Sequence, residues 1–358
     1  MLPAQLAENI RKLVLYYLQS TFTFRDPAVE RAFKQFLTDP ENGVFKGPWA
    51  QLKLPFRLAV DGEVIPFEFR PGFLPFKHQA RSWRRLDSKG QKPKPTLVTT
   101  GTGSGKTECF LFPILDHCLR MKREKQKGIK AIILYPMNAL ASDQERRFAK
   151  VIHRTPELKN AGIRVGNYTG RYDPTEPGGG DDSGTVMMGS DHGITNHNIL
   201  QDNPPDILLT NYKMLDYLLM RPQDQKLWRH NEVSSKEFLV SSDGSPTGNW
   251  KPGTGNSLRY LILDELHTYD GAQGADVGCL LRRLKERLGI GKGDLCVVGT
   301  SATLDDRESL RDSILAASSN PAAAIASSAD VKQTGSDRLA NFASTLFEED
   351  IDAEAVIG

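Results

Sequence analysis

Cysteine is scarce in this chain of 358 residues: there are four, Cys109, Cys118, Cys279 and Cys296, and no C-x-x-C spacing. That argues against a disulfide framework or a thiolate zinc cluster, and free thiols suit a reducing, cytoplasmic setting. No apolar run approaches the roughly 20 residues that cross a bilayer, so no membrane partner is expected. The opening stretch MLPAQLAENIRKLVLYYLQS places charges among apolar residues at helical spacing and lacks a small-residue cleavage site. It reads as a folded helix and not as a secretory signal. Charge of one sign is missing too, since 46 basic and 44 acidic residues leave a formal net charge of +2. A nucleic-acid partner would therefore need a local basic surface. No internal repeat is found, which sets aside solenoid architectures.

What is present is a soluble globular composition, long enough for two domains and a sizeable core. Residues 1 to about 75 form a prelude, with helical patterns at 6–17 and 27–37, then a Pro- and Gly-punctuated stretch from 40 to 75. Beyond it, short apolar runs alternate with helical patterns. The candidate strands are residues 96–100, 131–136, 164–169, 206–211, 260–265 and 295–302, with helices at 106–122, 139–152 and 274–288 among them. Apolar runs of this length without alternation suit central parallel strands covered on both faces. The order implies βαβ units, an α/β fold with a parallel doubly wound sheet flanked by helices. Two polar, Gly-rich stretches, about 173–205 and 231–257, read as loop insertions.

Thr100-Gly101-Thr102-Gly103-Ser104-Gly105-Lys106-Thr107 lies between a predicted strand and a predicted helix, the setting that a P-loop needs. Glycines let the backbone close around phosphates with its N–H groups inward at a helix N-terminus. Thr102, Gly103, Ser104 and Gly105 form that cradle. Lys106 supplies charge to the β- and γ-phosphates of ATP, and the Thr107 hydroxyl suits Mg²⁺. Thr100 stands where the general pattern has glycine. Downstream, Asp264-Glu265-Leu266-His267 ends an apolar strand, where ligands gather in open α/β sheets. Asp264 is placed to hold Mg²⁺ opposite Thr107, and Glu265 to orient and deprotonate the attacking water. A lone His such as His267 is often structural.

Together these motifs resemble the superfamily 2 helicases of the DEAD/DEAH-box kind, which relax the first P-loop glycine. The resemblance implies a RecA-like ATP-binding lobe over residues 75–310, a small, mainly helical accessory region at 1–74, and a C-terminal helical tail or linker at 311–358. It makes Asp264 to His267 motif II, with Lys106, Asp264, Glu265 and His267 as the catalytic set. Ser301-Ala302-Thr303 resembles motif III, which couples hydrolysis to nucleic-acid contact. The stretch around Phe76 and Gln79 resembles the Q motif, so that Gln79 reads the adenine edge and Phe76 packs on the base. Pro136, Asn138, Ala139 and Gln144 resemble motif Ia, with Met137 in place of the usual Thr. Thr169-Gly170 resembles the short TG element, and Thr210, Asn211 and Met214 resemble motif Ib. In that family such loops hold the backbone of one tracked strand.

The stretch HTYDGAQGADVGCLLRRLKERLG, residues 267–289, is similar to the Lhr and MrfA branch of large bacterial DNA helicases. The opening segment resembles large helicases of phage-defence systems of the Druantia type. This implies DNA as the partner, with antiphage defence or repair as the setting and RNA as the alternative. A nucleotide-gated binding subunit without motor activity is a third reading. After Thr303 too few residues remain for a second RecA-like lobe, and no QxxGRxGR pattern occurs. Arginine fingers, worth ~10³–10⁵ in kcat, are therefore expected from a second lobe in a longer protein or from a partner subunit.

Overall fold

A computed structural model describes residues 3–39, 41–45, 55–60, 62–169, 184–232, 256–269, 271–301 and 336–358. The chain divides into two compact units, residues 1–55 and 56–358. In the first, α1 (Pro3–Thr21) and α2 (Pro27–Thr38) are joined by a short link. Asp26 caps α2 by accepting from the Ala28 N–H at 2.8 Å, and Pro27 opens its first turn, where the missing N–H is no loss. Phe22 and Phe24 pack edge-on against Phe33 of α2.

The second unit is a seven-stranded sheet in the order β3-β4-β2-β5-β6-β1-β7, parallel in every pairing. Its strands are β1 (Thr96–Val98), β2 (Ala131–Leu134), β3 (Val165–Asn167), β4 (Ile207–Thr210), β5 (Tyr260–Leu263), β6 (Cys296–Thr300) and β7 (Val356–Ile357). Each of the six predicted strands is present, with its ends trimmed. Alternate residues of a strand divide between the two faces. Ala131, Ile133, Tyr135, Tyr260 and Ile262 join one apolar core with α3 (Lys77–Leu86), α4 (Lys106–Arg123), α5 (Asn138–Arg154) and α6 (Pro156–Asn160). Ile132, Leu134, Leu208, Leu261 and Leu263 join the other with α7 (His197–Asp202), α8 (Tyr212–Met220), α9 (Gly271–Leu288) and helical residues 336–347. Burial on both faces is why these strands read as continuous apolar runs. Among the described residues no helix is long and apolar enough to cross a membrane.

Two boundaries differ from the expected ones. The lobe takes in residues 56–75: Leu58 bridges Phe76, the Glu68 N–H donates to Asp116 at 2.7 Å, and Phe67 and Phe73 pack on the fully buried Trp83. These aromatics follow neither strand nor helix period, so no pattern assigns them to the domain. At the other end, the expected tail returns as β7 beside β1, where the Thr99 N–H donates to the Ile357 carbonyl at 2.9 Å. A strand of two residues carries too little pattern to see in sequence.

Candidate nucleotide site and strand-contact edge

All the parallel strands end on one edge, so the turns after β1, β2, β4, β5 and β6 are neighbours there. The turn after β1 is the glycine-rich loop. Gly103 (φ 80°) and Gly105 (φ 76°) take left-handed backbone that L side chains resist, and Gly105 leads into α4. The loop is braced from within. Thr100 and Ser104 share a hydroxyl hydrogen bond of 2.6 Å, and Lys106 Nζ donates to the Thr100 carbonyl at 3.1 Å.

Bracing also comes from α3. His78 Nε2 donates to the Ser104 carbonyl at 2.9 Å; burial lowers its pKa, keeping the imidazole neutral. Gln79 Nε2 donates to the Gly105 carbonyl at 3.1 Å while its Oε1 accepts from the Phe76 N–H at 2.9 Å. A Cβ at Gly105 would lie 2.4 Å from Gln79 Nε2, so the amide rests directly on the phosphate loop. The Trp83 indole N–H donates to the Glu108 carbonyl one turn on, at 2.9 Å.

Across the sheet, Asp264 and Glu265 follow β5. The Asp264 N–H donates to the Leu134 carbonyl at 3.0 Å, extending the β2–β5 ladder by one residue. Thr300, at the end of β6, uses both capacities of its hydroxyl: it donates to Asp264 Oδ1 and accepts from the Glu265 N–H at 3.2 Å. Glu265 sits in left-handed backbone (φ 52°), held there by Thr268, whose N–H and hydroxyl both donate to its carbonyl at 2.8 Å. Such a conformation costs a non-glycine residue about 1–3 kcal/mol and gathers at functional sites. Glu265 Oε2 is buried without a hydrogen bond, 3.4 Å from His267 Nδ1. His267 Nδ1 also lies 3.2 Å from the Ser301 hydroxyl, so motifs II and III touch through this pair. Burial raises the Asp264 pKa above the usual carboxylate value, and Glu265 adds to this. The Thr300 hydrogen bond and the charge of Lys106 act the other way. Lys106 and Asp264 are thereby brought to one place from β1 and β5.

The turns after β2, β3 and β4 carry the predicted strand-contact residues. Asn211 caps α8 by accepting from the Met214 N–H at 2.7 Å, and its Nδ2 donates to Asn138 Oδ1 at 2.7 Å. Asn138 opens α5 after Pro136, so the Ia-like and Ib-like turns are tied side to side. Ala139 is exposed beside them, while Gln144 Oε1 is buried without a partner. Thr210 needs a correction. Its side chain is wholly buried and donates to the Tyr168 carbonyl at 2.6 Å, so it cannot reach a phosphate; it joins β4 to the turn after β3. Thr169 is likewise buried. Gly170, Ala302 and Thr303 lie outside the described residues.

Sequence reasoning missed Thr300, His78 and Thr100 as functional supports. Thr300 stands directly before the Ser301 motif, and His78 beside Gln79. Only the fold shows which neighbour each one serves.

The DEAD/DEAH box helicase family model matches residues 76–311. The Druantia protein DruE of Escherichia coli is 28% identical over 313 residues, covering 65% of this chain and 16% of that protein. The helicase MJ1574 of Methanocaldococcus jannaschii is 24% identical, covering 65% of this chain and 26% of that protein. Among solved structures, the helicase MrfA bound to DNA and AMPPNP is 19% identical with a TM-score of 0.49, covering 85% of this chain and 30% of that one. The chain thus spans at most about a quarter of the length of these curated relatives.

Proposed function

This chain belongs to the DEAD/DEAH box helicase family, and from that premise we propose that it is the ATP-binding and hydrolysing lobe of a DNA-tracking motor. The observation that supports this most is the double use of Thr300. One hydroxyl orients the Asp264 carboxylate and the Glu265 backbone together, on the edge where Lys106 leaves the glycine-rich loop.

In this reading the loop amides of residues 102–105 bind the phosphates, Lys106 exchanges the Thr100 carbonyl for phosphate oxygens, and Gln79 meets the adenine. The oxygen donors of Thr107 and Asp264 fit Mg²⁺, a hard cation that takes few protein ligands beside phosphate. A crowded pair of carboxylates with one buried oxygen lacking a hydrogen bond is a setting that a cation relieves. When bound, Mg²⁺ supplies charge neutralisation at the phosphates. Glu265 takes a proton from the attacking water, its carboxylate aimed by the left-handed backbone. The His267–Ser301 contact passes the state of this site to motif III. The turns carrying Pro136, Asn138, Ala139, Asn211 and Met214 grip a strand by its backbone, which holds without reading sequence.

DNA is preferred over RNA on the likeness of residues 267–289 to the DNA-helicase branch. Arginine fingers from a second RecA-like lobe complete the site. The test is steady-state ATPase and nucleotide binding by residues 1–358, with and without single-stranded DNA or RNA. Tight nucleotide binding with slow turnover, rising when a second lobe is added in trans, is the expected result. Nucleotide binding that survives Lys106→Ala would sink the assignment.

A further inference from the structure

Beyond Asn211 the strand-contact edge opens into a cleft of about 430 Å³, bordered by Pro136, Asn211, Tyr212, Lys213, Tyr217 and, from α9, Gln273. One wall is therefore the turn proposed to hold the phosphates. The other walls differ in chemistry. Lys213 and Tyr217 lie one turn apart on α8, about 6 Å from one another, and Arg221 follows the helix as its C-cap in extended backbone. Tyr217 is 46% exposed, a large ring left in water at the mouth of the cleft. The Arg221 guanidinium sits over that ring, 4.3 Å from its centroid. Tyr212 is fixed differently: Lys213 Nζ lies 5.9 Å from its centroid, and its ring meets the fully buried Tyr269 edge-on at 6.3 Å. The Gln273 side-chain amide forms no hydrogen bond among the described residues, which leaves both its ends for a ligand edge.

An exposed aromatic ring beside cations, next to a backbone-gripping loop, is what an unstacked base needs. The ring offers a face to stack on, and the cations neutralise the flanking phosphates. The volume lies within the usual range for a small-ligand pocket. We propose that this cleft takes an unstacked nucleobase of the bound strand, stacked on the face of Tyr217 opposite Arg221, with its edge toward Gln273 and a flanking phosphate at Lys213. The inference rests on the nucleic-acid reading above and extends it from backbone grip to base stacking. Selectivity is for a planar base of any identity, since every base has a stacking face.

The experiment measures binding of residues 1–358 to a labelled oligothymidylate and to an abasic strand of equal length, with oligouridylate as the RNA arm. The expected wild-type preference for base over abasic strand is roughly tenfold, the scale of one stacked base. Tyr217→Ala should erase that preference by lowering affinity for the base-containing strand to the abasic level, and Tyr217→Phe should restore it. Thermal melting of each variant reports folding separately. A wild-type protein that binds both strands equally, or a Tyr217→Ala variant that keeps the preference, overturns the cleft while leaving backbone binding intact. Binding of neither strand overturns the nucleic-acid reading as well. Whichever of oligothymidylate and oligouridylate shows the larger Tyr217-dependent preference names the source of the base.

Discussion

At the carboxyl ends of β1, β5 and β6, motif side chains face one another across an open edge; at those of β2, β3 and β4, several of them turn back onto the backbone. Lys106, Asp264, Glu265, His267 and Ser301 form the first group: Thr300 joins Asp264 to Glu265, His267 meets the buried Ser301, and the other four are at least partly exposed. Thr210, Asn211 and Asn138 belong to the second, where they donate to a carbonyl, cap a helix and bond to each other. In the proposed reading the first group supplies the reacting atoms, while the second gives a loop its shape and the shaped backbone does the binding.

The sharpest test of that contrast is Glu265→Gln, which removes the base while keeping size and shape. Turnover in the presence of a second lobe should fall about 10²–10⁴-fold, with nucleotide affinity retained; comparable turnover would place the base elsewhere. Lys106→Ala comes next, with an expected loss of about 10²–10³-fold in turnover and a parallel loss of nucleotide affinity, read by ATPase and nucleotide titration. Neither change should lower the melting temperature much.

On the other half the order of effects reverses. Thr210→Val removes the buried hydrogen bond from the Thr210 hydroxyl to the Tyr168 carbonyl and should cost about 1–3 kcal/mol of stability, while nucleotide affinity stays within a few-fold of wild type. Asn211→Ala removes the α8 cap, at about 0.5–2 kcal/mol, and should weaken strand binding through the loosened turn. If Thr210→Val abolished strand binding with an unchanged melting temperature, the architectural reading of this half would be wrong.

The smallest expected effect is a gain. The fold raises the Asp264 pKa, so it favours the protonated carboxyl. That contribution is complete below the ordinary carboxylate pKa and is lost as pH rises through the raised value. Above that raised value the ionised Asp264 therefore burdens the fold. Asp264→Asn should melt slightly higher than wild type at pH 7 while losing turnover, and the gap should close in acid. A variant that melts lower at neutral pH would show that Asp264 is a structural residue.

Much of this was legible in the sequence because the signals are local. A buried parallel strand needs an apolar run, and a phosphate loop needs its glycines beside its lysine; both lie within a few consecutive residues. What escaped was non-local or too short. The aromatics Phe67 and Phe73 follow no period and find their partner in Trp83 only after folding. β7 is two residues long and is held by pairing with β1, more than 250 residues earlier in the chain. Thr210 looks in sequence like a hydroxyl offered to a phosphate, and the Tyr168 carbonyl that occupies it comes from a different strand.

By itself the sequence determined the α/β class, the six long strands and the identity of the groups gathered at the edge, since period, glycine placement and motif order depend on neighbours along the chain. Only the tertiary structure decided which of those groups meet. Thr300 serves two acidic residues because β5 and β6 are paired in that register, with Leu263 opposite Gly299. The cleft at Tyr217 exists because α8 and α9 begin beside the same turn. Contacts between strands and helices far apart in sequence are set by the packing of a whole core, and no local pattern carries them.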